Sequence, residues 1–233
     1  MRSIQLFLLF CASAILFPST TGKGISAHDA RERLTAGNKR FTTGTMQHGH
    51  MTSARRMATA QDGQRPFATV LTCSDSRVPP EVLFDTGLGD VFVVRVAGNV
   101  CAANEAGSIE YGAGHVGTRL VVVLGHTKCG AVTAVVKGEH VSPVIAKLVK
   151  PITPAAYRAH IMNGPCCVEK EIRTAIALNI FNAITDLFRQ SAELRSLVRE
   201  GKAEVVGALY DIESGKVHWL GKHTEERSLI RTR

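Results

Sequence analysis

Four short runs of mostly apolar residues are spaced along the chain, and each predicts a β-strand. They occupy residues 67–73, 91–96, 120–124 and 203–210. Because most positions in these runs are apolar, we expect strands buried on both faces, as in a parallel sheet covered by helices. Residues 105–115 and 168–188 have helical patterns and lie between strands, which is the order of a β–α–β fold.

Further elements are expected at the two ends of this pattern. Ser26, followed three residues later by Asp29, makes a capping-box start for an N-terminal helix. Residues 211–215 predict a turn into a strand over residues 216–220, which would pair antiparallel at the sheet edge. Residues 137–165 contain four prolines and are interpreted as a loop broken by a short helix. The expected fold is α/β: a mostly parallel central sheet of about four strands plus an antiparallel edge strand, flanked by helices.

The first 22 residues differ in character from the rest of the chain. Arg2 precedes an apolar stretch over residues 6–17, which is shorter than the ~20 residues that span a bilayer. A basic start, a short apolar core and small residues after it are typical of a secretory signal peptide. We expect residues 1–22 to be removed and residues 23–233 to form one exported domain, periplasmic or secreted, with no stable membrane association after cleavage. An N-terminal anchor helix is the alternative.

Composition excludes a disordered or fibrous chain. Of the 233 residues, 45% are hydrophobic and 21% are charged, and the formal net charge is +8. The basic residues are dispersed, and no aromatic residues alternate with them to stack on bases. We therefore expect no nucleic-acid partner. A basic protein that binds nucleic acid or an acidic surface without catalysis is the non-enzymatic alternative.

Potential metal ligands follow two of the predicted strands. Cys73 ends the first strand, and His126 and Cys129 follow the third. In an open parallel sheet, ligands bind at the carboxyl ends of the strands, so these three side chains are expected to meet. Two thiolates and an imidazole suit Zn²⁺, and three protein ligands leave the fourth tetrahedral position open. The sequence therefore predicts one zinc ion per chain that acts on a water molecule.

Asp75 and Arg77 are expected to lie beside this zinc site. In an extended chain, positions i and i+2 face the same way, so Asp75 would be next to Cys73. A carboxylate so close to the metal could itself become the fourth ligand. The Arg77 guanidinium can hold both carboxylate oxygens, which would keep Asp75 ionised, off the zinc and able to orient a zinc-bound water or hydroxide. A buried apolar thiol and a plain ion pair are the structural alternatives.

The segments that carry these residues resemble the two signature motifs of β-class carbonic anhydrases. They read Cys-Ser-Asp-Ser-Arg-Val-Pro-Pro-Glu from residue 73 and Gly-His-Thr-Lys-Cys-Gly-Ala-Val from residue 125. The similarity extends over about residues 27–221. It implies a zinc lyase that reversibly hydrates carbon dioxide to bicarbonate and a proton through zinc-bound hydroxide, oriented by Asp75 and Arg77. Hydrolysis of carbon disulfide or carbonyl sulfide is the alternative on the same fold.

The resemblance also implies roles for residues around the metal. The matching zinc ligands are Cys73, His126 and Cys129. The matching substrate-binding positions are Gln64, Phe92, Ala97, Tyr111 and Gly130, and a pair matching a proton relay is Tyr111 and His115. The glutamine is typical of plant-like members, in which the position of Ala97 is often Val, so the pocket would be slightly wider here. Family members are built on dimers, which implies a homodimer or tetramer.

Another subgroup of the family closes its zinc site with the aspartate, using a tryptophan on the N-terminal side of the chain. The only tryptophan here is Trp219, near the other end. The resemblance therefore implies a site that rests open, with Asp75 held by Arg77.

The cysteine count is too low for a disulfide scaffold. The chain has six cysteines, of which Cys11 would leave with the signal peptide. Cys101, Cys166 and Cys167 are then not needed by the zinc site. They are interpreted as free thiols or, alternatively, as a bridge between Cys101 and one of the adjacent pair.

Overall fold

The computed structural model describes residues 24–164 and 167–231. The predicted signal peptide lies outside them, as do Pro165 and Cys166. The helices are α1 (Ala27–Thr43), α2 (Ser53–Asp62), α3 (Pro80–Leu83), α4 (Ala103–Glu110), α5 (Gly130–Lys137), α6 (Pro143–Val149), α7 (Thr153–Asn163), α8 (Val168–Gln190), α9 (Ala192–Arg199) and α10 (Glu226–Leu229). The strands are β1 (Ala68–Thr72), β2 (Val91–Arg95), β3 (Leu120–His126), β4 (Glu204–Tyr210) and β5 (Val217–Gly221). Short 3₁₀ turns occupy Ala97–Asn99 and Lys150–Ile152, and a π-helical turn, Tyr111–His115, continues α4.

The strands form one sheet in the order β2-β1-β3-β4-β5. The first four strands pair in parallel, and β5 pairs antiparallel with β4. Thr72 at the end of β1 lies beside Leu124 of β3, so these two strands end close together. The predicted fold class, including the antiparallel edge strand, is confirmed.

Helices cover both faces of the sheet, and alternate strand residues enter the two cores. Val121 and Val123 of β3 pack in the core formed with α4, α8 and α9. Val122 and Leu124 point the other way, into the core formed with α1 and α3. Every residue of β1 and β3 is buried, as the continuous apolar runs predict. The expectation of burial on both faces is wrong for β2, which is half-buried because it lies at the edge of the sheet in this chain.

Residues 137–165 are more helical than the sequence predicts. The interpretation as a loop with one short helix is wrong, because α6, a 3₁₀ turn and α7 follow one another here. Pro143, Pro151 and Pro154 each lie in the first turn of one of these elements. Proline is tolerated there, since the backbone N–H that it lacks has no partner within the helix at that position.

The N-terminal helix begins where its sequence predicts, and a buried glycine brings it close to the turn after α3. Ser26 is its N-cap, and the Ser26 hydroxyl accepts a hydrogen bond from the backbone N–H of Asp29 at 3.0 Å. Gly37 in the middle of α1 is buried against the backbone of Phe84. A Cβ atom at Gly37 would lie 1.8 Å from the Phe84 carbonyl oxygen. The helix therefore needs glycine at this position for its close approach to the turn after α3.

We expect Gly37→Ala to lower the free energy of unfolding by about 2 kcal/mol, because the added methyl group forces backbone atoms apart. Gly107→Ala in α4 is the matched control, since a Cβ at Gly107 meets no atom within 4 Å. Alanine there should leave stability unchanged or raise it by up to ~1 kcal/mol. Urea unfolding at equal protein concentration measures both. Equal stability changes in the two variants would contradict this account of α1 packing.

Candidate metal centre

Cys73, His126 and Cys129 meet at the carboxyl edge of the sheet. Cys73 directly follows β1, His126 is the last residue of β3, and Cys129 is the N-cap of α5. The possible ligand atoms of these residues all lie within 4.8 Å of one another, and all three residues are buried. The neighbouring, parallel ends of β1 and β3 bring together side chains that are more than fifty positions apart in the sequence. We refer to these residues as the ligand cluster.

The hydrogen bonds of His126 fit a metal ligand. Its Nδ1 lies 2.9 Å from the Thr127 carbonyl oxygen, which can only accept, so Nδ1 carries the proton. Nε2 is then left with a lone pair, and this buried atom has no hydrogen-bond partner among the described residues. An unpartnered buried nitrogen is costly unless a further group binds it. A carbonyl on one imidazole nitrogen and a metal on the other is the usual arrangement of metal-ligating histidines.

The two thiols of the ligand cluster are also arranged for a cation. Cys73 accepts a hydrogen bond from Cys129, which lowers the pKa of the Cys73 thiol. The same contact, together with burial, raises the pKa of the Cys129 thiol. The backbone N–H of Gly98 donates to the Cys73 sulfur at 3.2 Å. Zn²⁺ held by these residues would favour the thiolate form of both side chains. The donor set therefore fits zinc.

Asp75 and Arg77 form a bidentate ion pair beside the ligand cluster. Arg77 Nε donates to one carboxylate oxygen at 2.9 Å and Arg77 Nη2 to the other at 2.7 Å. The backbone N–H of Arg77 adds a third bond at 3.0 Å. The Arg77 guanidinium holds the pKa of Asp75 well below its usual range. Asp75 Oδ2 lies 3.9 Å from His126 Nε2, so an ionised carboxylate borders the space that the unpartnered nitrogen faces.

Sequence reasoning missed Arg95, which holds the segment that carries Cys73 and Asp75. Arg95 Nε donates to the Cys73 carbonyl oxygen at 3.1 Å, and Arg95 Nη2 donates to the Asp75 carbonyl oxygen at 2.6 Å. Arg77 Nη2 also reaches the carbonyl oxygen of Lys128, at 3.3 Å. These bonds connect the turn after β1 with the ends of β2 and β3. A single arginine at the end of the apolar run 91–96 is the sequence signal that could have indicated such a role.

Asn179 is a second residue that the sequence did not identify. It lies in the middle of α8, is only 1% exposed, and donates from Nδ2 to the Gly98 carbonyl oxygen at 2.8 Å. Gly98 adopts φ +74°, and a Cβ there would come within 2.7 Å of Ile152. Asn179 therefore holds the carbonyl group of the same residue whose backbone N–H donates to the Cys73 sulfur.

We expect Asn179→Leu to weaken zinc binding about tenfold to a hundredfold, because residues that orient a ligand typically contribute this much. It should also destabilise the protein by about 1–3 kcal/mol, since the Gly98 carbonyl is left unpaired. Asn182→Leu, one turn later, is the matched control. Asn182 also donates to a carbonyl, that of Pro151 at 2.9 Å, but this carbonyl is not bonded to the ligand cluster. Chelator competition measures zinc affinity, and an equal loss in both variants would contradict the role of Asn179.

The remaining predicted site residues are partly or fully exposed in the single chain. Tyr111 is 42% exposed, and its ring lies 6.1 Å from that of Phe92 and 5.4 Å, stacked, from that of His115. Ala97 is next in sequence to Gly98, which donates to the Cys73 sulfur, and Gly130 is next in sequence to Cys129. Gln64 lies exposed between α2 and β1. Among the described residues, no hydrogen bond joins Gln64 to the cluster.

The other cysteines do not contribute to the ligand cluster. Cys101 and Cys167 are both free, so no bridge joins them. Burial raises the pKa of Cys101 to about 12, with a smaller contribution from Glu105, and this thiol is therefore unreactive near neutral pH. The alternative of a bridge to Cys166 involves a residue outside the described part of the chain. In residues 24–164 and 167–231, no helix is both long and apolar enough to span a membrane.

Comparisons with known proteins place the chain in a family. Residues 68–217 match the family described as carbonic anhydrase. A carbonic anhydrase from Mycolicibacterium smegmatis is 36% identical over 192 residues, which cover 81% of this chain and 90% of that protein. Carbonic anhydrase 2 of Mycobacterium tuberculosis is 33% identical over 195 residues, covering 80% and 89%.

Solved structures agree with the sequence relatives. A β-carbonic anhydrase of Aspergillus fumigatus superimposes with a TM-score of 0.69 at 25% identity, covering 84% of this chain and 92% of that one. A tetrameric β-carbonic anhydrase of Sordaria macrospora shares the fold, with a TM-score of 0.66 at 23% identity over 83% of this chain and 98% of that one. With its matching family segment, its relatives and its fold, this chain belongs to the β-class carbonic anhydrases.

Proposed function

We propose that the protein catalyses the reversible hydration of carbon dioxide to bicarbonate and a proton, with Zn²⁺ held by Cys73, His126 and Cys129. The observation that carries the proposal is the unpartnered Nε2 of His126, which faces two paired thiols and lies 3.9 Å from an ionised carboxylate. Three protein ligands leave one coordination position for a water. When bound, zinc supplies a Lewis acid that lowers the pKa of that water toward neutrality.

Asp75 orients the attacking water in this mechanism. Both carboxylate oxygens are engaged by Arg77, which keeps Asp75 from turning toward the ligand cluster. Each oxygen retains lone-pair capacity, so Asp75 accepts a hydrogen bond from the water and fixes the direction of attack on the substrate carbon. Because its pKa is lowered by Arg77, Asp75 is not the group that carries the released proton.

Tyr111 and His115 are proposed to pass that proton to solvent. The two rings stack with centroids 5.4 Å apart on the π-helical turn after α4. Imidazole side chains commonly relay protons near neutral pH. Phe92 packs near Tyr111, and with Ala97, Gly130 and Gln64 it is proposed to line the substrate pocket, as in plant-like members of the family.

We expect the zinc protein at neutral pH to have two sulfur ligands and one nitrogen ligand from the protein, with no carboxylate oxygen bound to the metal. The reason is the bidentate hold of Arg77 on Asp75. Zinc K-edge absorption spectroscopy distinguishes these states. The Arg77→Ala variant provides the contrast, since Asp75 is then released and can become the fourth ligand. A carboxylate ligand in the wild-type spectrum would contradict an open site.

Stopped-flow measurement of carbon dioxide hydration tests the proposed function directly. The alternative, hydrolysis of carbon disulfide or carbonyl sulfide, is tested with the same zinc-loaded sample by sulfide release. Hydration of carbon dioxide with negligible sulfide release supports the proposal. Sulfide release without carbon dioxide hydration supports the alternative.

We also propose that the protein forms a dimer or a higher assembly and that it is exported. In the single chain, α2 buries none of its residues, and the edge strand β2 is half-buried next to the exposed Tyr111. These surfaces are suited to burial by a second copy. Analytical ultracentrifugation tests this, and a monomer at micromolar concentration would contradict it.

Export is proposed from the character of residues 1–22, which are typical of a signal peptide. N-terminal sequencing of protein recovered from outside the cytoplasm would locate the cleavage near Gly22.

A further inference from the structure

A cavity of about 930 Å³ lies apart from the ligand cluster. It is bounded by the start of α7, one face of α8 and the segment 223–225. None of the ligand-cluster residues, nor Asp75 or Arg77, lines it. Its volume is in the range of sites that hold drug-sized ligands, roughly 300–1,000 Å³. A triatomic substrate does not need such a volume, so the proposed reaction leaves the cavity unexplained.

The wall that α8 contributes is part apolar and part polar. Leu178, Phe181, Asn182 and Thr185 follow one another at helical spacing and face the cavity. The proline side chains that open the 3₁₀ turn and α7 complete the apolar part of the lining. A ligand with an apolar body can therefore bury it against this wall.

Hydrogen bonds and ring contacts hold the cavity in shape. Asn182 Nδ2 donates to the Pro151 carbonyl oxygen at 2.9 Å, which joins α8 to the 3₁₀ turn. The Thr185 hydroxyl lies 3.2 Å from His223 Nε2, and the Phe181 ring meets the His223 ring edge-on at 5.7 Å. The α8 wall of the cavity is therefore held by the 3₁₀ turn and by His223 before any ligand binds, and this reduces the entropic cost of binding.

The charges around the cavity are unbalanced. Lys147, Lys150 and Arg158 line it, and among the described residues none of the three forms an ion pair. A fourth cation, Arg189, lies 3.5 Å from Asp186 and is balanced by it. Within the described part of the chain, Glu225 is the one other acidic side chain in the lining. Cationic side chains therefore outnumber acidic ones around the apolar wall that α8 contributes.

We propose that this cavity binds a small amphipathic organic anion, with a phosphate or carboxylate headgroup at Lys147, Lys150 and Arg158 and an apolar body on Leu178 and Phe181. A cationic rim favours the charged headgroup, because lysine and arginine form charge-assisted hydrogen bonds with such oxygens. The apolar wall favours a ligand with more than a headgroup. The proposal does not rest on the carbon dioxide chemistry of the ligand cluster.

Phenyl phosphate is a suitable probe, and isothermal titration calorimetry on the zinc-loaded full chain is the measurement. We expect one molecule to bind per chain, more tightly than inorganic phosphate or benzyl alcohol. Inorganic phosphate lacks the apolar body, and benzyl alcohol lacks the charged headgroup. Lys147→Glu with Arg158→Glu should weaken phenyl phosphate binding about tenfold or more. Both side chains are exposed, so the double variant should fold.

Lys170→Glu with Arg173→Glu is the matched control, because it makes the same charge change at exposed positions of α8 that do not line the cavity. This control should bind phenyl phosphate as the wild type does, and both double variants should retain carbon dioxide hydration. Equal weakening in both double variants would show a nonspecific charge effect. Equal binding of benzyl alcohol would show an apolar pocket without anion preference, and absence of phenyl phosphate binding would show that the cavity is no site. Each of these results overturns the proposal.

Discussion

Replacement of Cys129 by alanine is expected to abolish zinc binding and to lower carbon dioxide hydration by at least about a thousandfold. Cys129 supplies one of the three possible ligand atoms of the ligand cluster, and its contact with Cys73 lowers the pKa of that thiol. Two remaining protein ligands are one fewer than the three that catalytic zinc sites use. Zinc content by mass spectrometry under native conditions and stopped-flow hydration measure the two effects.

Cys167→Ala is the matched control for this experiment. Cys167 is also a free cysteine, but it is exposed and is not part of the ligand cluster. This variant should keep about one zinc ion per chain and full activity. Activity that persists in Cys129→Ala at zero zinc content would refute a role of the metal in the reaction. Loss of zinc in both variants would show that the cysteines act through folding instead.

The fold was predictable because strands that are buried on both faces are continuous apolar runs in the sequence. The apolar run 120–124 has no polar residue, and β3 is buried at every position. The edge position of β2 was not predictable, since residues 91–94 are as apolar as those of β3 and only the strand order exposes them. Only one short helix was predicted in residues 137–165, where both α6 and α7 form, because prolines interrupt this stretch. Pro143, Pro151 and Pro154 nevertheless lie in first turns, where they are compatible with a helix.

The ligand cluster was predictable from two local motifs and one rule about parallel sheets. Cys73 and His126 both lie where a strand ends, and neighbouring strands end at the same edge. The hydrogen-bond partners of Arg95 and Asn179 were not predictable, because they are carbonyl groups of distant segments. A sequence records which side chain is present at a position but not which backbone carbonyl it will reach. The 930 Å³ cavity was not predictable for the same reason, since α6, α7, α8 and segment 223–225 meet only in the folded chain.

Asp75→Asn is expected to lower the rate constant for carbon dioxide hydration about a hundredfold while zinc remains bound. The amide keeps the size of the carboxylate but donates from one of the two positions that now accept from Arg77. The side chain is therefore expected to rotate away from Arg77, and misplacement of an orienting group by about 1 Å commonly has an effect of this size. Glu213→Gln is the matched control, because it removes a carboxylate that pairs with Lys128 at 2.6 Å but does not contact the ligand cluster.

The pH dependence of the Asp75→Asn effect separates orientation from proton transfer. Arg77 lowers the pKa of Asp75, so the carboxyl group is ionised throughout the range from about pH 6 to 9. The pairing with Arg77 stabilises the fold above the ordinary carboxyl pKa and is lost only as acid protonates Asp75. The ratio of wild-type to variant rates should therefore be constant from about pH 6 to 9. A ratio that changes across this range would mean that Asp75 exchanges a proton during the reaction, and that its role is not orientation alone.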